Sequence, residues 1–279
     1  MRLGGHILKP WKTPEEWIAL VRELGYSTVI FPVDCTAPKE TVREFCSRIA
    51  DEGLTIGEVG VWRNLMCADE KQREETLMYS VRQLELAEEV GAGCCVNVSG
   101  SRGPCWDGFH PDNYSRETFD LIVEQSRRII DAVKPVRTAY TLEPMPWMLP
   151  DGPDSCLELM KAVDRPVFAV HLDFTNMINS LERYMHADRL IDECFDKLGP
   201  YIRSVHIKDC VLSDEILPFS ISEVPVGKGI MDLARVLRRC EELGEDTTVY
   251  TEHLMKHEDY VYSTAYLREL GRDCGVGIK

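Results

Sequence analysis

The 279-residue sequence lacks the features that mark exported, membrane-spanning or nucleic-acid-binding chains. Its 11 cysteines are an odd number at irregular intervals with no CxxC pair, which excludes a disulfide framework and a zinc ribbon. They read as reduced thiols. Cys94 and Cys95 lie in an apolar run and read as small core residues, and no cysteine is assigned a catalytic role. No apolar run approaches the roughly 18 residues of a membrane span. The first residues, MRLGGHILKPWK, lack the apolar stretch of a signal peptide, so a cytoplasmic location is expected. The N-x-S sequences at Asn97 and Asn113 then carry no glycosylation signal. Positive charge is scarce: 32 Lys and Arg against 47 Asp and Glu leave a net charge of −15. That field repels phosphate backbones and anionic lipid, so neither nucleic acid nor a membrane is an expected partner. A glycine-rich phosphate loop is also missing. The first strand-like run ends in His6-Ile7-Leu8-Lys9-Pro10, and Gly91-Ala92-Gly93 falls between a helix and the next strand, the reverse of the dinucleotide order.

What is present has the balance of one compact globular domain, with 44% apolar and 28% charged residues. Short β-rich runs recur at 3–7, 28–31, 55–61, 94–98, 139–143, 167–172, 202–207 and 248–251. Amphipathic stretches separate them, such as Leu77, Val81, Leu84 and Ala87, or Leu233, Val236, Leu237, Cys240 and Leu243. Thr13-Pro14-Glu15-Glu16 reads as a helix start, and Gly25, Gly53, Gly91, Gly199 and Gly244 read as left-handed helix stops. Eight alternations of strand and helix, joined by right-handed crossovers, predict an α/β fold: a single-domain (β/α)8 TIM barrel over residues 1–279. The irregular stretches 99–117 and 210–228 are long enough to form active-site loops.

In such a barrel, reactive side chains project from the C-terminal ends of the strands. Glu143 ends the fifth strand, Asp173 follows the sixth, His206 lies in the seventh and Glu252 ends the eighth. Three carboxylates facing one another are costly to ionise together unless a cation lies between them. A donor set of three carboxylates and one imidazole predicts a divalent metal ion, Mn²⁺ before Mg²⁺ or Co²⁺, rather than zinc. Period-two alternation puts His171 on the face of Asp173 and Lys208 on the face of His206. His171 is expected to orient a carboxylate, and Lys208 to bind a substrate oxygen or act as an acid. Trp62, Trp106 and Trp147 follow strands three, four and five, where aromatics stack on sugar faces or cap the barrel core. Glu58 and Trp11 rank below these, and His110, His186, His253 and His257 are expected in solvent with no role.

Glu143, Asp173, His206 and Glu252, with the phrases HLD, HIKD and VPVGKGIMD, resemble the metal-binding set of the xylose-isomerase-like TIM-barrel superfamily, the sugar phosphate isomerases and epimerases. The resemblance implies that Glu143 and Glu252 both bind metal and serve as catalytic acid and base. Two positions depart from ketose 3-epimerases: Asn176 stands for a histidine and Leu212 for an arginine, and Asn176 is expected among the substrate-binding residues. Lys208 and Asp209 in HIKD look like the inosose dehydratase and hydroxypyruvate isomerase branches. The expected function is thus a divalent-metal-dependent sugar isomerase or epimerase acting through an enediolate on a small-molecule carbohydrate, with a homo-oligomer possible. The alternatives are a metal-dependent lyase or dehydratase on a keto-sugar or keto-inositol, and a non-catalytic polyol-binding barrel subunit.

Overall fold

The computed structural model describes residues 1–215 and 217–279. Eight parallel strands form its central sheet: β1 (Arg2–Gly5), β2 (Thr28–Ile30), β3 (Thr55–Gly60), β4 (Cys94–Asn97), β5 (Ala139–Leu142), β6 (Phe168–Leu172), β7 (Ile202–Ile207) and β10 (Thr248–Thr251). Each pairs with its neighbour in the order β2-β3-β4-β5-β6-β7-β10-β1. The seam between β1 and β2 is drawn together by Ser27, whose N–H donates to Leu3 O at 2.9 Å and whose Oγ accepts from Leu3 N–H at 3.0 Å. The fold is the TIM barrel that the strand-helix alternation predicts.

Outside the ring lie α1 (Pro14–Leu24), α2 (Lys39–Asp51), α3 (Glu70–Val90), α4 (Arg116–Val133), α5 (Pro153–Val163), α6 (Leu181–Met185), α7 (Ala187–Leu198), α8 (Leu233–Leu243) and α9 (His257–Cys274). The Thr13 side chain caps α1 by accepting from Glu16 N–H at 3.2 Å, and Pro14 occupies the first helical position. Helix α8 buries Leu233, Val236, Leu237 and Cys240 against the sheet. A fully buried leucine such as Leu237 contributes about 1.5–3 kcal/mol, and Arg235–Asp192 and Arg239–Asp196 ion pairs tie α8 to α7 as well. Gly25 and Gly91 end their helices at φ 68° and 72°, as the sequence predicts. Gly199 does not. Its φ is −40°, and the chain runs on into a 3₁₀ turn over Gly199–Tyr201 before β7 begins.

A second difference matters more for the site. The stretch 210–228 reads as irregular, yet it carries an antiparallel hairpin of β8 (Asp209–Ser213) and β9 (Ser220–Val224). The hairpin stands on Asp209, whose buried carboxylate accepts the N–H groups of Cys210, Gly227, Gly229 and Met231 at 2.8–3.0 Å. A Cβ at Gly229 would come within 2.2 Å of Asp209 Oδ1, so the HIKD and VGKG segments fit together only with glycine there. Asp209 therefore shapes the rim and does not face the metal-type cluster.

Inside the barrel, alternation along each strand stacks side chains in layers. Tyr250 fills the lower interior, with its hydroxyl 2.7 Å from Thr28 Oγ1 and donating to Val29 O at 3.2 Å. Gly57 makes room for that phenol, since a Cβ there would lie 2.0 Å from it. The next layer upward is polar: Glu58, His171, Ser204 and His206, all without solvent exposure.

Candidate metal centre and active site

Parallel register delivers the chemistry to one end of the barrel. Glu143 follows β5 directly, Asp173 follows β6, His206 sits near the end of β7 and Glu252 follows β10. One side-chain atom from each of these four lies within 4.8 Å of the others, and all four residues are buried. His206 Nδ1 is 3.0 Å from Glu252 Oε2, 3.3 Å from Glu143 Oε1 and 3.8 Å from Asp173 Oδ2. The predicted set of four is brought together.

Lys208 enters the same cluster, because two residues further along β7 its side chain shares the inward face of His206. Its Nζ lies 2.8 Å from Asp173 Oδ2, 2.7 Å from Glu252 Oε2 and 3.5 Å from Glu223 Oε1 of the hairpin. It also donates to Asn176 Oδ1 at 3.2 Å. Asn176 is the predicted contact residue after β6. It donates from Nδ2 to Glu143 Oε1 at 3.1 Å, and its own N–H donates to Asp173 Oδ1 at 2.9 Å. Asn176 thus fixes two carboxylates and one ammonium at once.

The opposite edge of His206 faces downward. Its Nε2 lies 3.5 Å from Glu58 Oε2, while Glu58 Oε1 takes His171 Nε2 at 3.0 Å and the Ser204 hydroxyl. The His171 and His206 rings meet edge to face at 4.0 Å. His171 is thereby placed beneath the four-residue cluster, in contact with Glu58 and His206 and out of reach of the mouth. Glu58, which the sequence ranks with Trp11 below the other candidates, is the hub of this layer. A glutamate in mid-strand, flanked by Gly57 and Val59 in a barrel interior, is itself the signal, since a buried charge requires partners.

Sequence reasoning also set His253 aside as a solvated residue. Its side chain is 53% exposed, as expected, but a positive φ of 57° sets it at the mouth, where Nδ1 is 3.0 Å from Glu223 and 3.1 Å from Lys208 Nζ. His6 was likewise passed over, and its Nε2 lies 3.6 Å from Glu252 Oε1. The three tryptophans separate. Trp147 lines a 690 Å³ cavity beside the cluster, together with Asn176, Glu223 and His253. Trp62 packs on the core residues Cys94, Val96, Ala139 and Ala169. With Trp106 it lines a distinct recess of 340 Å³. Hence Trp62 and Trp106 lie apart from the cavity that Trp147 faces.

Electrostatics bind the cluster into one unit. Burial by itself would lower the proton affinity of His206, but Glu252, Glu143 and Glu58 outweigh it and raise the imidazole well above the ordinary histidine value. Lys208 follows the same pattern, with burial opposed and overcome by Asp173, Glu252 and Glu143. Burial would raise Glu252, yet His206 and Lys208 hold it well below the usual carboxylate range. Glu58 is likewise depressed, by His171 and His206, against the effect of its burial. A hydrogen bond to Glu223 raises His253.

These residues fit a divalent cation. Asp173 Oδ2, Glu252 Oε2 and His206 Nδ1 are buried without a well-directed hydrogen bond, so three atoms of ligand type converge, with the Lys208 ammonium 2.8 and 2.7 Å from the two oxygens. Among the described residues no helix is long and apolar enough to cross a membrane.

The chain belongs to the xylose isomerase-like TIM barrel family, whose family model matches residues 18–270. It is similar in fold to solved structures of low sequence identity. One is a xylose isomerase-like TIM barrel protein from Mycobacterium smegmatis in complex with magnesium, at 19% identity and TM-score 0.70, covering 94% of this chain and 90% of that one. A second is the apo 3-keto-D-glucoside 4-epimerase of E. coli, at 17% identity and TM-score 0.70, covering 96% and 99%. A third is a probable 3-DHS dehydratase from Bacillus anthracis, at 19% identity and TM-score 0.70, covering 95% and 94%. No curated protein matches the chain by sequence at a significant level.

Proposed function

We propose that the protein is a divalent-metal-dependent isomerase or epimerase of keto-sugars that works by proton transfer at the carbon beside a carbonyl. The observation that carries this reading is the convergence of Glu143, Asp173, His206 and Glu252 within 4.8 Å at the strand ends. Those four residues would hold the ion, Mn²⁺ or Mg²⁺. When bound, the ion supplies a Lewis acid that draws charge from a substrate carbonyl and makes the neighbouring C–H removable.

The remaining steps fall to the chain's own groups. Glu143 and Glu252 come from strands that are not neighbours in the sheet, so they approach the mouth from separate sides. One carboxylate takes the proton and leaves an enediolate, and the same or the other carboxylate returns it. Glu252, kept ionised by His206 and Lys208, is in the deprotonated form that a base requires. The Lys208 ammonium faces the same space and would hydrogen-bond the developing oxyanion. Asn176 holds Glu143 and Lys208 in register.

Lys208 also favours a second reading. An ammonium beside the base is placed to protonate a β-hydroxyl as it leaves, which would turn the same proton abstraction into a dehydration. Deuterium separates the two. The first reading expects Mn²⁺-loaded protein in D2O to exchange a substrate C–H with retention of all oxygens, whereas dehydration releases water and yields an absorbing enone. Glu252→Gln should fold and lose at least ~10³-fold in turnover. Wild-type turnover in that variant refutes the role of Glu252, and the absence of exchange or elimination on a keto-sugar panel leaves a polyol-binding barrel.

A further inference from the structure

The cavity beside the cluster specifies more than the reaction. It measures 690 Å³, and its charged lining consists of Asp107, Glu223 and His253. His253 is already hydrogen-bonded to Glu223. Among the described residues no arginine or lysine lines it. The nearest ammonium, on Lys208, is 2% exposed and committed to Asp173 and Glu252. A phosphate or carboxylate on the substrate would therefore meet the Asp107 carboxylate, the paired Glu223 and His253, and no free cation, inside a molecule of net charge −15. Enzymes that grip a phosphorylated sugar need the opposite lining, a fork of arginine or lysine donors or a helix N-terminus.

Size and apolar surface add a second constraint. A lone monosaccharide would leave most of 690 Å³ to water. The cavity also presents Trp147 and Phe219, each 40% exposed, and Ile221 of the hairpin. The single donor of Trp147 is already spent, since Nε1 donates to Asp107 O at 2.6 Å. The indole is thus held in place with only its ring surface left to offer, which is how aromatic side chains receive the apolar face of a sugar or aglycone.

Resting on the keto-sugar reading above, we infer that the substrate is an uncharged sugar derivative larger than a free monosaccharide, a glycoside or disaccharide whose second group packs on Trp147 and Phe219. Three ketoses that differ only at O6 test this: D-fructose, D-fructose 6-phosphate and isomaltulose, which carries a glucosyl group there. Binding to the full-length, Mn²⁺-loaded protein is measured by titration calorimetry, and deuterium uptake from D2O is followed on the same samples. Isomaltulose is expected to bind about tenfold tighter than fructose, and the phosphate about tenfold weaker. Trp147→Ala should close the gap between isomaltulose and fructose. Equal binding of all three, binding of none, or tightest binding of the phosphate overturns the inference. The two readings fail separately. The expected ranking without deuterium uptake sinks the proton-transfer reaction and leaves the charge and size assignment standing, whereas uptake fastest with the phosphate keeps the reaction and sinks the assignment.

Discussion

Replacing Glu58 by glutamine tests whether the buried polar layer exists to hold His206 in its ligating form. His206 Nδ1 faces Glu143, Asp173 and Glu252, and Nε2 faces Glu58 at 3.5 Å. To bind a cation through Nδ1, the imidazole must carry its proton on Nε2, and a carboxylate beneath Nε2 favours that tautomer. Glutamine keeps the shape but removes the charge, and it offers one acceptor oxygen where Glu58 offers two. That oxygen cannot serve His171 Nε2, Ser204 Oγ and His206 Nε2 together, so an amide N–H must face one of them. Loss of such an orienting carboxylate lowers metal affinity about 10–100-fold, or about 1.4–2.7 kcal/mol. Competition between the protein and a chelator for Mn²⁺ at pH 7 measures this directly, and circular dichroism checks that the variant folds. Imidazole ¹⁵N shifts report the tautomer, which a purely space-filling role for Glu58 would leave unchanged. Ser204→Ala is the control: it removes one bond to Glu58 but keeps the charge, and its effect should stay within about threefold. A folded Glu58→Gln protein that binds Mn²⁺ as tightly as the wild type, with unchanged ¹⁵N shifts, refutes the reasoning.

Lys208→Met removes the ammonium that lies 2.8 and 2.7 Å from two donor oxygens, so Mn²⁺ affinity should rise about tenfold or more while turnover falls; unchanged affinity by the same chelator competition would show that the lysine does not compete for the site. Glu88 lies far from the site and accepts the N–H groups of Val136, Arg137 and Thr138 ahead of β5. Partial burial works against its ionisation, but those three bonds hold its pKa below the reference value of 4.5. Its contribution to stability is therefore present above that pH and is lost as pH falls through the depressed folded-state value. Glu88→Gln should cost about 1 kcal/mol at pH 7 in urea unfolding, with the gap closing as pH falls below that reference value and the wild-type carboxyl protonates; a gap that stays constant with pH contradicts the assigned charge.

The parts of the molecule that sequence reveals, and the parts it hides, divide along a physical line. The barrel strands are buried on both faces and separated by strongly amphipathic helices, so their apolar runs stand out. The fifth to eighth of these strands end in ligand-type residues, which makes Glu143, Asp173, His206 and Glu252 legible from spacing alone. The β8–β9 hairpin has no such contrast. Its residues are mostly half-exposed on both faces, and Pro218 interrupts the run. What holds it is tertiary: Asp209 gathers four backbone N–H groups, and Leu212 N–H donates to Tyr184 Oη at 2.9 Å. His253 was hidden for a related reason. It is the exposed loop residue that its position after Glu252 suggests, and its contacts with Glu223 and Lys208 depend on a positive φ that the sequence does not show.

Glu58 is the instructive case, because period-two logic alone places it inward with no exposure. An isolated carboxylate there would be far too costly to keep ionised, so its presence in β3 demands cationic or donating partners from other strands. His171 and Ser204 meet that demand, and His206 turns toward it the imidazole edge that points away from Glu143, Asp173 and Glu252. The interior layer that most barrels fill with branched apolar side chains is here given to a hydrogen-bonded network. Such a network is poorer packing than Val, Ile and Leu, and it makes physical sense only if fixing the orientation of His206 is worth that loss. The metal affinity of Glu58→Gln therefore bears on why the core has this composition as well as on how the site binds its ion.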